Sequence, residues 1–223
     1  MKKYLLACLA MLCLASSALA ISNASINGSS QTRWNGSLAG TNSVTSQAGN
    51  ITRVNITTVG LTDNWMGFFG NVFGNIVLGD NQFSLYNWSW QPSNSSLVCV
   101  AQNSSFDFSY ANSTNATAIN NAWNFSGISD NALNTYNLPS CNLTLGQQQV
   151  SNTASAKHNP LSSFTTCAIS RGAAPSTSSD FAYCAGINNG GKNYLNQDVQ
   201  YELLVPSKAG PAADPYYFFA ELN

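Results

Sequence analysis

Twelve asparagines head an Asn-x-Ser/Thr triplet: Asn23, Asn27, Asn35, Asn50, Asn55, Asn87, Asn94, Asn103, Asn112, Asn115, Asn124 and Asn142. In an exported chain the side-chain amide nitrogen of this triplet is the acceptor for an N-linked glycan. A sequence rich in Asn, Ser and Thr makes some such triplets by chance. Composition does not explain why none follows Asn142, since the last third also contains Asn and Ser. The clustering predicts two unlike surfaces, one coated with sugar and one bare, with the bare one available for protein contact.

Cysteine is the second reactive type. Cys8 and Cys13 fall in the N-terminal leader, leaving Cys99, Cys141, Cys167 and Cys184. Four cysteines in an exported chain predict two disulfides with three possible connectivities. Cys99–Cys141 with Cys167–Cys184 is favoured here because each closes a local loop, and a cross-link of this kind contributes about 2–4 kcal/mol. Zinc is disfavoured, because there is no C-x-x-C pair and His158 is the only histidine. No metal and no cofactor is expected, only covalent N-glycans.

Acid–base chemistry finds little support. His158 sits in Lys-His-Asn-Pro and reads as an exposed loop residue. Asp63, Asp80, Asp107, Asp130, Asp180, Asp198 and Asp214 are scattered, and turn or capping roles suit them. Glu202 and Glu221 fall in strands, where one face normally meets solvent. Gly70–Gly74 is not a phosphate loop, since no Lys-Ser/Thr follows and no helix opens there. A convergent catalytic set is not visible, and the chain reads as a non-enzyme.

The elements that carry these residues begin with a leader. Lys2 and Lys3 precede an apolar run, and Ala18-Leu19-Ala20 fits the small-x-small rule, so residues 1–20 read as a signal peptide cut before Ile21. The mature chain is extracellular on this reading, and no second apolar run is long enough to span a membrane. Charged residues are only 8 % of the sequence, and without Lys2 and Lys3 six of the eight basic side chains remain against nine acidic ones. That balance argues against a nucleic-acid partner. With so few charges, glycans would supply the surface hydration.

Residues 21–48 are rich in Ser, Asn and Gly, with apolar residues too widely spaced for a core; they form an extended N-terminal segment. Residues 49–223 form the folded domain. In 50–59 Val54 and Ile56 alternate with Asn55 as in a half-buried strand. Trp65–Asp80, WMGFFGNVFGNIVLGD, reads as strand, tight turn, strand, and as the core hairpin of the domain. Trp65, Phe69 and Ile76 are its expected buried residues, and Leu78 belongs to the same core or assembly set. Further strands are expected at 83–90, 97–101, 106–110, 143–150, 163–169, 180–187, 199–206 and 216–222. The last of these contributes Phe218 and Leu222 to one apolar face. TNATAINNAWNF predicts a short helix holding Ala118, Ala122 and Trp123 inward, and residues 151–163 read as loop. Many short strands with Gly, Asn and Pro turns indicate an all-β fold, an immunoglobulin-like or jelly-roll-type β-sandwich.

Four motifs resemble one another's setting in a known family: W-x-G-x-x-G-N-V-x-G-x-I-x-L (Trp65 to Leu78), F-S-G-I-S-D-N-A-L-N-T-Y (Phe125 to Tyr136), D-V-Q-Y-E-L-L-V-P (Asp198 to Pro206) and Y-Y-F-F-A-E-L (Tyr216 to Leu222). Together they resemble an uncharacterised family of exported archaeal surface proteins. The resemblance spans roughly residues 61–222 and implies a secreted, glycosylated, β-rich protein. It brings no catalytic residues with it.

These features predict a structural subunit of an extracellular glycosylated filament or surface coat, assembling by β-strand complementation. In that arrangement residues 21–48 of one copy complete the sheet of the next, head to tail, so the partner is the protein itself. The alternative is a monomeric secreted immunoglobulin-like adhesion module for a surface sugar or protein.

Overall fold

In the computed structural model the described residues are 22–23, 48, 53, 61–80, 82–125, 127–208 and 214–221. The leader at 1–20, most of the segment 21–48 and the strand expected within 50–59 lie outside them.

Short apolar runs punctuated by Gly, Asn and Pro produce strands, and the protein is all-β with several antiparallel sheets. In chain order the strands are β1 (Ser22–Asn23), β2 (Trp65–Gly70), β3 (Gly74–Gly79), β4 (Ser84–Trp90), β5 (Leu97–Ala101) and β6 (Ala111–Ser113). After two helices, α1 (Ala116–Trp123) and α2 (Ala132–Thr135), come β7 (Leu138–Leu145), β8 (Gln148–Lys157), β9 (Thr165–Arg171), β10 (Phe181–Gly186), β11 (Tyr201–Pro206) and β12 (Tyr217–Glu221). The largest sheet runs β1-β12-β5-β10-β9-β8-β7, with β6 also paired to β9. β2 pairs with β11, and β3 with β4.

The centre of the large sheet is covered on both faces. β5 is buried at every position, and so are Thr166–Ser170 of β9 and Phe181–Ala185 of β10. A strand with both faces covered reads as a continuous apolar run instead of alternating. On one face Val98, Val100, Ala168, Tyr183 and Ala185 meet Leu203 and Val205 of β11, Ile119 and Trp123 of α1, and Ala132 of α2. The Trp123 indole N–H donates to the Tyr183 hydroxyl at 3.1 Å. On the other face the cystines and Ile169 pack with Phe106, Phe108, Leu143, Leu145, Val150 and Phe219. Phe219 belongs to one edge strand and Leu143 and Leu145 to the opposite one, so the sheet curls around this second core. The Glu221 carboxylate closes the curl by accepting from the Gly146 N–H in the β7–β8 turn.

Several expectations hold. α1 forms because Asn115 caps it, its side-chain oxygen accepting from the Ala118 N–H at 2.9 Å, and Asn124 ends it in the left-handed conformation (φ 57°). The strands at 97–101, 180–187, 199–206 and 216–222 are present within a residue or two.

Others are corrected. Trp65–Asp80 is not one hairpin: β2 pairs with β11, far along the chain, and β3 pairs with β4. Trp65 is half-buried against Phe125 and Tyr136, but Phe69 is 44 % exposed and Leu78 60 % exposed. Phe218 is half-buried, its ring 5.0 Å from Phe68; the side chain of Ile76, and Leu222, lie outside the described residues. Phe106 and Phe108 are buried, yet residues 108–110 form a 3₁₀ turn capped by Asp107 instead of a strand. The run 143–150 breaks at Gly146, which has φ +60°, into the β7–β8 turn. Residues 151–157, read as loop, continue β8. Ala156 packs in the core, and the buried polar Thr153 is satisfied: its hydroxyl oxygen accepts from the Thr114 N–H at 3.0 Å.

The cystines are Cys99–Cys184 and Cys141–Cys167, not the two local pairs. Cys99 and Cys184 are direct partners across β5 and β10, and Cys167 of β9 lies against the β7–β8 hairpin that carries Cys141.

Candidate functional site

Three features bear on function, and the first is the set of glycan acceptors. Asn87, Asn94, Asn112, Asn115, Asn124 and Asn142 are exposed and Asn103 is half-buried; Asn23 lies in β1, and Asn27, Asn35, Asn50 and Asn55 lie outside the described residues. Asn94, Asn103, Asn115 and Asn142 each use the side-chain oxygen to accept a backbone N–H, from Asn189, Ser105, Ala118 and Asn152. That geometry commits the oxygen to the fold and leaves the amide nitrogen, the atom a glycan would occupy, free of those bonds. β9 and β10 are interior strands.

The second feature is a buried hydroxyl–imidazole–carboxylate line that the sequence reading missed. His158, at the end of β8, is enclosed, not exposed. Its Nδ1 lies 2.6 Å from Glu202 Oε1, and its Nε2 lies 2.8 Å from Thr166 Oγ1. Glu202 Oε2 accepts from the Tyr194 N–H at 2.8 Å. Burial pushes the Glu202 carboxyl up, but bonds from His158, the Tyr194 N–H and Ser162, with the charge of His158, outweigh it and leave it below its ordinary value. The carboxylate accepts, so Nδ1 carries a hydrogen, and in the neutral ring Nε2 accepts a hydrogen bond from the Thr166 hydroxyl.

This connectivity is that of a hydroxyl nucleophile relay. Thr166 is nevertheless fully buried, and its oxygen also accepts from the Leu204 N–H at 2.8 Å. With Thr166 enclosed, the line clamps β8 and β9 to β11. Among the described residues no three His, Cys, Asp or Glu side chains converge as metal ligands.

The third feature is apolar surface in strand form. Among the described residues, β12 pairs on the side away from β5 with β1, at Ala220 and Phe219. β3 and β4 pair with each other and with no other described strand. Their register sets Ile76 opposite Trp88 and Leu78 opposite Tyr86 on one face, and Asn75 opposite Ser89 and Val77 opposite Asn87 on the other. Leu78, Tyr86 and Trp88 are all exposed. The hairpin thus has an aromatic face and a face that carries Asn87 of an Asn-x-Ser triplet. Its tip is tight: Asp80 accepts from the Gln82 and Phe83 N–H groups, and a Cβ at Gly79 would come within 2.4 Å of the Phe83 carbonyl.

No family model, curated protein or solved structure matches this chain. Among the described residues no helix is long and apolar enough to cross a membrane. The two cystines are compatible with an oxidising, extracellular setting.

Proposed function

We propose that the protein is a structural subunit of an extracellular glycosylated filament or surface coat, assembled by β-strand complementation. The observation that carries this reading is the side of β12 away from β5, where the described residues Ser22 and Asn23 of the N-terminal region pair antiparallel with Ala220 and Phe219. An exposed apolar edge is a template for another strand. The segment beyond Asn23 is long enough to extend that ladder in the same chain or to reach a neighbour. Exchange between neighbours would be head to tail and would propagate without closing. The signal-peptide signature, the outward acceptor asparagines and the resemblance to exported archaeal surface proteins support the same setting. The interior position of the His158–Thr166 pair supports a non-catalytic role.

Deleting residues 21–48 tests the mechanism. The shortened protein is expected to fold and elute as a monomer, while the full mature chain elutes in large assemblies. Assembly of the shortened protein would sink strand complementation through this segment.

Native material is expected to lose mass on enzymatic removal of N-glycans, read by intact mass spectrometry. An unchanged mass would remove the glycan coat from the reading.

The exposed aromatic face of the β3–β4 hairpin favours a second reading, a monomeric adhesion module that stacks a surface sugar or protein on Tyr86 and Trp88. Size-exclusion of native material separates the two, since the module elutes as a monomer.

A further inference from the structure

The two cystines differ in access. Cys99 and Cys184 face each other across β5 and β10, flanked by β12 and β9, and are 1 % and 0 % exposed. Cys167 is buried in β9, but Cys141 is half-buried on β7, the last of the described strands of the large sheet. A thiolate displaces one sulfur of a disulfide only where it can reach it, so access orders the two bonds.

They differ in mechanical place as well. Cys141 stands opposite Thr153 and Cys167 opposite Ser155, both on β8, so the bond joins two strands that are not neighbours. Strands two places apart in a flat sheet lie about 9.5 Å from each other. Here the two Cα atoms are 6.1 Å apart, so the sheet bends sharply at β8 and the bond holds the bend. The β7–β8 ladder shifts register on both sides of Cys141. The middle of β7 therefore depends on the bond more than on a continuous ladder. Beyond it, Leu143 and Leu145 join the second core with Phe219, and the Gly146 N–H reaches Glu221 of β12.

We propose that Cys141–Cys167 is a redox-sensitive latch on the β7–β8 hairpin, opened by a low-molecular-weight thiol while Cys99–Cys184 stays closed. The attacking thiolate bonds to Cys141 Sγ, the S–S bond breaks, and Cys167 leaves as a thiolate that takes up a proton. A second thiolate attacks the small-molecule sulfur of the mixed disulfide and releases Cys141, which is protonated in turn. Two thiols are thereby oxidised to one small disulfide, and one cystine is reduced by two electrons. With the bond open, β7 is released from β9, and Leu143 and Leu145 leave the second core. Glu221 then loses the Gly146 N–H, which loosens the end of β12. The ladders of β5, β9 and β10 and the Cys99–Cys184 bond stay intact. The latch belongs to the fold of one copy and works whether or not copies assemble.

The test treats the oxidised protein with dithiothreitol under native conditions and samples it over time. Free thiols are blocked with light iodoacetamide. The remaining cystine is then reduced in denaturant, blocked with the heavy reagent, and the peptides are mapped by mass spectrometry. Cys141 and Cys167 are expected to take the light label together, at least about tenfold faster than Cys99 and Cys184. In the half-reduced protein, amide hydrogen exchange is expected to quicken at least about tenfold across residues 141–150 and to stay unchanged in β5 and β10. Return to oxidised glutathione is expected to restore both the bond and the slow exchange. Four cysteines labelled at one rate, or Cys99 and Cys184 labelled first, would overturn the proposal. So would exchange in 141–150 that ignores the open bond, exchange that quickens through β5 and β10 as well, or an opening that does not reverse.

Discussion

Replacing Cys99 and Cys184 together by alanine is expected to cost the folded protein about 4–5 kcal/mol, the larger of the two cystine losses. The bond spans 85 residues, against 26 for Cys141–Cys167, whose removal is expected to cost about 3.5 kcal/mol on the same loop-entropy argument. Position adds to the difference. Cys99 and Cys184 are among the most buried residues of the second core, where they join the central strands β5 and β10, so alanine also leaves unfilled volume. Urea unfolding of the two double variants measures the order. Peptide mapping of the oxidised protein provides the sharper check, with Cys99 expected on one peptide pair with Cys184 and Cys141 on the other with Cys167. A Cys99–Cys141 peptide would contradict the strand order itself, because it would require β5 to lie against β7 instead of β10.

His158→Ala is expected to cost about 3 kcal/mol at neutral pH, a large effect for a single position that is not apolar. The change removes the donor to Glu202 Oε1 and the acceptor of the Thr166 hydroxyl, while both partners stay buried. It also alters the acid response. Glu202 is held below its ordinary value, so its contribution is fully present above the unfolded carboxyl pKa of about 4.3 and is lost as pH falls through the lower folded value. Without the imidazole, burial acts with less opposition and the carboxyl rises. The variant is then expected to lose stability at a higher pH than the wild type as acid is added. Thermal midpoints between pH 3 and pH 7 measure both effects. A variant within 2 °C of the wild type across that range would show that the clamp contributes nothing.

The signal for this clamp was present in the sequence but incomplete. Glu202 stands inside Tyr-Glu-Leu-Leu-Val, and a carboxylate in so apolar a strand is either exposed or partnered. His158, in a Lys-His-Asn-Pro stretch, carries every local mark of a surface loop. Only the approach of β8 to β11 turns that loop residue into a buried partner. The polar run of β8 misleads in the same way. Ser, Asn and Thr read as loop until Thr153 is seen to find its partner on Thr114, a contact made by tertiary packing.

Pairing was the least legible level. The residues of β2, β3 and β4 predict strands correctly, but proximity along the chain wrongly joins β2 to β3. β2 instead pairs with β11, setting Phe68 opposite Leu203 and Met66 opposite Val205. The cystines fail for a related reason. Shortest-loop reasoning assumes that closing a long loop is prohibitive, whereas its entropy grows only with the logarithm of length. A few kilocalories of core packing outweigh that difference.

By itself the sequence determined the local matters: an all-β fold, a short helix within residues 114–125 and most strand positions. These depend on neighbouring residues, through side-chain period, turn chemistry and caps, and so can be read in a window of ten. Tertiary structure alone decided which strands pair, which cysteines join, that His158 and Glu221 are interior, and that an aromatic hairpin faces outward. Each of these depends on what another part of the chain brings alongside, and residue spacing carries no record of that.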